Sequence, residues 1–302
     1  MSSKYSPEIF NQFKPTKSFF IGLDSDGCVF DTMEIKQQEC FTPNVIKYFG
    51  LQGVSKYARE VCLFVNLYSK WRGANRFIAL AKDFELLAKR PEVYKRNFKL
   101  PDITDLNEWI NNNSTLSNHT LKEYLKTNSS PFLNLVLEWS LEVNRTVTDI
   151  VKGIPYYPLV KESLDKITEK ADVLVVSSTP CEALEREWQE HGIDKYPSII
   201  AGQEMGSKSE HLKLAAQDKY DQHKILMVGD AIGDLKAAKS INALFYPILP
   251  GHEEASWEKF YKEALDIFFE GKYEGKYQEK LNHEFDKCLP STPMWQEVYF
   301  EK

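Results

Sequence analysis

Residues 18–32 read Ser-Phe-Phe-Ile-Gly-Leu-Asp-Ser-Asp-Gly-Cys-Val-Phe-Asp-Thr, and the acids in this stretch have the types and spacing for chemistry. Asp24 and Asp26 stand i, i+2 behind an apolar run at 19–23 that is too short for a helix and bulky enough for a buried strand. If the strand persists, both carboxylates point the same way. They then sit past the carboxyl end of a strand, where open α/β sheets bind ligands. Like charges this close need a cation, a proton, or both. One ionised carboxylate can attack as a nucleophile while its neighbour carries a proton as general acid. By itself the stretch reads equally well as a strand ending in an Asx-rich turn.

Three later segments carry polar groups after similar apolar runs. Residues 173–176 end in Ser177, Ser178 and Thr179, hydroxyls that can hold an anion oxygen, although a serine at a strand end is more often a turn or helix cap. Lys208 opens a helical stretch, where a cation opposes the helix dipole and therefore asks for another reason to be there. Lys213, deeper in the same stretch, reads as solvated surface. Residues 225–228 end in Gly229-Asp230-Ala231-Ile232-Gly233-Asp234, whose two acids would add oxygen ligands to those of Asp24 and Asp26.

The elements that must position these residues alternate. Strands are expected at 18–24, 173–176, 198–201, 225–228 and 243–246, and helices at 158–170, 180–191, 208–219 and 232–240, with Gly192 closing the second of these. Such alternation predicts an α/β fold, a Rossmann-like doubly wound parallel sheet. From 33 to 150 the pattern changes to helical period, with Val54, Ala58, Val61 and Val65 on one face and Phe77, Leu80, Ala81 and Phe84 on another. The expected organisation is a core of 1–32 and 151–250, an all-helical insertion of 33–150, and a helical C-terminal extension of 251–302 packed on the core. The lead-in 1–17 is expected to be irregular.

The chain has 302 residues and a net charge of -6, so no basic field invites nucleic acid. No apolar run approaches the length of a membrane span. Five scattered cysteines without metal-ligand spacing read as reduced thiols, which places the expected location in the cytoplasm.

The segment Asp24-Ser25-Asp26-Gly27-Cys28-Val29-Phe30-Asp31 resembles the D-x-D-G-x-x-x-D signature of the haloacid dehalogenase superfamily, and Ser177, Lys208 and the Gly229–Asp234 segment resemble its later motifs in the same order. Ser25 departs from the pattern, which usually has an apolar residue there, and Cys28 replaces a common threonine. As a nucleophile Cys28 is a rival to Asp24, weakened by the lack of a histidine near it in sequence. The resemblance implies that Asp24 forms an aspartyl-phosphate and that Asp26 is the acid and base. Lys208 would offset charge, and Ser177 and Ser178 would bind phosphate. It also implies an Mg²⁺ site at Asp24 and Asp230, with the backbone carbonyl of Asp26. Asp234 would join that site through a water or hold Lys208. Asp26 favours phosphate esters over carbon–halogen bonds, since a halide leaves without a proton.

By the same resemblance, 33–150 occupies the place of a helical cap that selects a small phosphorylated substrate. Within it, Arg72, Asn75 and Arg76 sit on an inter-helix loop where related caps read substrate, and each taken singly is slightly more often an ordinary residue of a solvated turn. The expected protein is an Mg²⁺-dependent phosphatase. The alternatives are a phosphomutase on the same scaffold and a non-catalytic phosphate-binding regulatory protein.

Overall fold

The computed structural model describes residues 5–295. Five parallel strands, β1 (Phe19–Leu23), β2 (Ala171–Val176), β3 (Ile199–Ala201), β4 (Ile225–Gly229) and β5 (Leu244–Pro247), form one sheet in the order β3-β2-β1-β4-β5. In the central strand, Leu23 lies opposite Val175 of β2 and Val228 of β4. From β1 the chain returns to the sheet on the side of β2, whereas from β4 it continues to β5 on the other side. The loops leaving β1 and β4 therefore diverge, which opens a crevice at their carboxyl ends.

The two-residue period of the strands sorts their side chains between two cores. Ile21, Leu23, Val173, Val175, Leu226 and Val228 face one way and pack with Leu164, Trp188 and Trp257. Phe20, Leu174, Val176, Ile225 and Met227 face the other and pack with Leu212, Ala237 and Phe285. Both faces are buried, which is why these strands read as continuous apolar runs. β5 ends the sheet, and its free edge is occupied: Phe245 N donates to Gln278 Oε1 at 3.1 Å, and Tyr273 OH donates to Phe245 O at 2.8 Å.

The expected boundaries shift in two instructive places. β2 begins at Ala171 rather than 173, because Asp172 is buried as a knot. It accepts hydrogen bonds from Thr16 N and Lys17 N at 2.9 Å each and from Tyr220 OH at 2.7 Å. The helix expected at 208–219 stops at Ala215, and Asp218 takes a left-handed φ of 62° that no helix continues through. The helix at Ile232–Ser240 and the left-handed Gly192 after Cys181–Glu190 stand as expected.

Two compact units emerge. The first comprises residues 5–33 and 153–290 and holds the sheet. The lead-in is not wholly irregular, since a short helix, Ile9–Gln12, buries Phe10. The second comprises residues 34–152 with 291–295. Its principal helices are Ser55–Leu67, Arg76–Ala88, Thr104–Asn112 and Pro131–Ile150. They enclose a separate core around Val61, Val65, Phe77, Leu80, Trp109, Val136 and Trp139. The C-terminal extension divides between the units. Its helices Glu253–Lys259 and Lys276–Cys288 belong with the sheet, whereas Trp295 lies with its ring 5.3 Å from Phe64 in the helical unit. Residues 1–4 and 296–302, included in the expected core and extension, lie outside the described residues.

Arg72, Asn75 and Arg76 are committed inside the helical unit. Arg72 is buried and donates to Leu67 O at 3.1 Å. Asn75 caps the Arg76–Ala88 helix by accepting from Phe77 N at 3.0 Å, and it donates to Leu116 O at 2.8 Å. Arg76 donates to Ser140 O at 3.0 Å and Asn144 Oδ1 at 2.7 Å, and burial lowers its guanidinium to about 10. All three side chains thus carry capping or bracing bonds within the helical unit, and Asn75 is exposed.

Asp83 gives the helical unit a pH dependence. Burial pushes its carboxyl from 3.8 up to about 8, against hydrogen bonds from Cys62 and Asn66. Between these values the folded chain holds a proton that the unfolded chain releases. The contribution of Asp83 to stability is therefore greatest below about pH 4 and falls as pH rises to about 8, by up to about 1.4 kcal/mol per pH unit. Asp83→Asn should flatten the urea-unfolding free energy across this window. Parallel curves for variant and wild type would show that Asp83 is not the cause.

Candidate active site

The crevice at the ends of β1 and β4 gathers the acids that stood apart in sequence. Asp24 follows β1 directly, and its backbone N donates to Val228 O at 3.0 Å, which carries the extended chain one residue past the strand. Asp230 directly follows the last residue of β4. Asp234 lies in the first turn of the Ile232–Ser240 helix, where Oδ2 accepts from Ala231 N at 3.0 Å. It comes so near β4 that a Cβ on Gly229 would stand 2.4 Å from Asp234 Cβ, so only glycine fits there.

Lys208 reaches this cluster from the opening of the Lys208–Ala215 helix. A capping box sets that opening: Ser207 N donates to Glu210 Oε2 at 2.7 Å, and Glu210 N donates to Ser207 Oγ at 3.3 Å. Lys208 Nζ then donates to Asp24 Oδ2 and to Asp234 Oδ1, 2.6 Å each. This pairing accounts for a lysine at the wrong end of a helix dipole. Lys213 is exposed, as expected of the surface alternative.

Charge in the cluster is unbalanced. Asp24, Asp230 and Asp234 are all buried, and each offers a carboxylate oxygen within 4.8 Å of the others. The single ammonium of Lys208 is shared between two of these three acids. Burial pushes Asp24 up to about 6, helped by the charge of Asp230 and opposed by Lys208. Asp234 is likewise pushed to about 6 by burial, with Asp24 adding to the effect and Lys208 opposing it. Burial alone would lower the Lys208 ammonium, but the charges of Asp234 and Asp24 more than offset it and hold it above its usual range. Three buried oxygen donors gathered around one ammonium form a donor set suited to a hard divalent ion.

Asp26 is held separately. Its Oδ2 accepts from Thr179 Oγ1 at 2.6 Å and its Oδ1 from Thr32 Oγ1 at 2.5 Å. Its carboxylate is therefore outside the acidic trio. Ser177 is buried at the end of β2, where its N donates to Ala201 O at 3.0 Å and its Oγ accepts from Thr179 N at 3.2 Å. Ser178 beside it is exposed. Asp31 accepts from Tyr157 OH at 2.9 Å. The rival nucleophile fails on physical grounds. Cys28 is fully buried, and burial together with the charges of Asp230, Asp24 and Asp234 pushes its thiol well above the ordinary range, away from the reactive thiolate.

Sequence reasoning missed Thr32 and the role of Thr179. Thr179 was adjacent to a recognised position. Thr32 gave no sign, because a threonine after an aspartate is unremarkable until the loop folds back.

Residues 93–246 match the family model described as haloacid dehalogenase-like hydrolase. The matched segment takes in Ser177, Lys208, Asp230 and Asp234 and begins downstream of Asp24. No curated protein matches the chain. Similar solved structures include a haloacid dehalogenase-superfamily hydrolase of subfamily IA from Geobacter sulfurreducens, 15% identical over 77% of this chain and 88% of that one, with a TM-score of 0.38. A predicted phosphoglycolate phosphatase from Haemophilus somnus is 14% identical over 77% and 86%, with a TM-score of 0.44. A haloacid dehalogenase-like hydrolase from Streptococcus pneumoniae is 11% identical over 82% and 93%, with a TM-score of 0.43.

The close approach at Gly229 is open to test. Gly229→Ala should force Asp234 aside and destabilise the fold by about 1–3 kcal/mol in urea unfolding. Gly233→Ala is the control, since a Cβ there meets nothing within 4 Å. Equal effects of the two substitutions would deny the tight packing of Asp234 on β4.

Proposed function

The chain belongs to the haloacid dehalogenase-like hydrolase family, and we propose that it is a phosphatase that cleaves a small phosphorylated metabolite with the help of Mg²⁺. The observation that carries this reading is the buried trio of Asp24, Asp230 and Asp234 around the ammonium of Lys208, with Asp26 held nearby on the same loop by two hydroxyls.

Asp24 and Asp230 would hold the Mg²⁺, with Asp234 beside them steadying Lys208. The ion when bound neutralises charge on the phosphoryl oxygens. Asp24 attacks the phosphorus atom, the bond to the ester oxygen breaks, and the phosphoryl group passes to the carboxylate as an aspartyl-phosphate. Asp26 donates a proton to the departing oxygen, so the alcohol leaves neutral. It then takes a proton from the water that attacks the acyl phosphate, which frees inorganic phosphate and restores Asp24. Ser177 Oγ accepts from Thr179 N and keeps its own proton to donate to a phosphate oxygen. Exposed Ser178 is available to do the same.

A second acid on the Asp24 loop is what a phosphate ester requires and a carbon–halogen bond does not. Asp26→Asn should therefore lower kcat by about 10²–10⁴-fold on alkyl phosphates, and should slow formation of the aspartyl-phosphate much less from p-nitrophenyl phosphate, whose leaving group needs little protonation. Asp24→Asn should abolish phosphate release from both. Retention of turnover by Asp24→Asn would remove it as the nucleophile, and isomerised sugar phosphate in place of free phosphate would mark a mutase.

Mg²⁺ should raise the melting temperature of the wild type, and Asp230→Asn should weaken that rise. An unchanged Mg²⁺ response in Asp230→Asn would place the ion elsewhere.

A further inference from the structure

Residues 24–31 carry both the proposed nucleophile and the proposed acid, and they form a tight loop. Ser25 O accepts from Val29 N at 2.9 Å, from Phe30 N at 3.0 Å and from Cys28 N at 3.3 Å, and Gly27 N donates to Phe30 O at 2.9 Å around a left-handed Gly27. These bonds set the loop's shape. It is attached to the core by backbone bonds from Tyr157 N to Val29 O at 3.0 Å and from Asp31 N to Pro155 O at 3.4 Å, and by two indoles. Trp188 Nε1, on the Cys181–Glu190 helix, donates to Ser25 Oγ at 3.0 Å. Trp257 Nε1, on the Glu253–Lys259 helix, donates to Cys28 O at 2.7 Å. Ser25, Cys28, Trp188 and Trp257 are all fully buried, so no water competes for these bonds.

The two tryptophans come from different parts of the chain. Trp188 follows β2. Trp257 belongs to the C-terminal extension, 229 residues beyond Cys28 and outside the segment that matches the family model. Ser25 stands between the two acids, and its hydroxyl also donates to Glu187 Oε2 at 3.4 Å. Both tryptophans pack into the core that backs the loop: the Trp188 ring meets Phe30 edge-on at 5.9 Å, and the Trp257 ring meets Phe260 edge-on at 5.4 Å.

We propose that Trp188 and Trp257 are a pair of positioning residues that brace the Asp24–Asp26 loop, so that the C-terminal extension takes part in setting the geometry of catalysis. A brace acts on the angle between nucleophile and acid rather than on substrate affinity. Misplacement of a reacting group by about 1 Å costs about 10²-fold in rate. The catalytic part of this inference rests on the phosphatase reading above, whereas the brace itself does not.

The test has two arms. The first needs no variant and no activity. In ¹⁵N-labelled wild type, the indole N–H signals of Trp188 and Trp257, assigned by single Trp→Phe substitutions, should be among the slowest indoles to exchange with deuterium. Exchange of either at the rate of a solvent-exposed indole overturns the brace. In the second arm, Trp257→Phe and Trp188→Phe keep an aromatic ring and remove the donor together with the five-membered ring that carries it, so urea-unfolding stability is measured beside activity. Each should lower kcat about tenfold or more at nearly constant KM. The loss should be larger on alkyl phosphates than on p-nitrophenyl phosphate, because the acid is displaced along with the nucleophile. A purely structural role predicts wild-type kcat and the same substrate ratio per folded molecule, counted by circular dichroism, and that result overturns the positioning role. A wild type that releases no phosphate from any ester overturns the phosphatase reading and the catalytic role with it, while the exchange arm still decides the brace.

Discussion

One ammonium among three buried carboxylates is the interaction on which the rest of the site depends. Lys208 joins Asp24, at the end of β1, to Asp234, in the helix after β4, with 2.6 Å to each. Removal of the lysine charge alone would leave buried acids facing one another, a cost of about 3–5 kcal/mol for a broken buried pair. Retention of the lysine still leaves a deficit of positive charge, since Asp230 shares the same buried space. Three oxygen donors gathered this closely suit the cluster to a divalent cation. Stability and function meet in the same electrostatic shortfall.

The sheet makes that shortfall possible. Parallel strands buried on both faces put the ends of β1 and β4 side by side, and the divergent loops after them leave a crevice in which backbone does not crowd the acids. Gly229 removes the last obstruction by letting Asp234 lie against β4. The extension after β5 then serves two ends. It pairs the exposed edge of β5 through Gln278 and Tyr273, and it sends Trp257 beneath the loop of Asp24.

The five strands and their order of motifs were legible because each strand is a continuous apolar run closed by a polar group, a pattern that buried parallel sheets impose on sequence. Asp24, Asp26, Lys208, Asp230 and Asp234 were legible for the same reason, as the polar groups at those ends or within a turn of them. What could not be read depended on contacts between distant segments. Asp172 looked like the flank of a strand because its donors, Thr16, Lys17 and Tyr220, lie far away along the chain. The bonds of Arg76 could not be read either, because its partners Ser140 and Asn144 lie on another helix. Thr32 and Trp257 carried no local signature at all.

The contrast between Asp24 and Asp26 shows how one loop can hold two carboxylates in different employment. Asp24 accepts from the Lys208 ammonium and from Ser25 N at 2.8 Å, groups that can only donate, and both favour its ionised form. The donors on Asp26 are the hydroxyls of Thr32 and Thr179, and a hydroxyl can turn to accept as readily as it donates. When Asp26 carries a proton, one threonine can reverse its bond and take it; when Asp26 is ionised, both can donate. The acid can thus gain and lose a proton without leaving a polar group stranded, and it needs no movement of the loop to do so. The proposed acid–base role of Asp26 is then compatible with a loop that stays in place, because the adjustment is made by two rotating hydroxyls and not by the backbone that also carries Asp24.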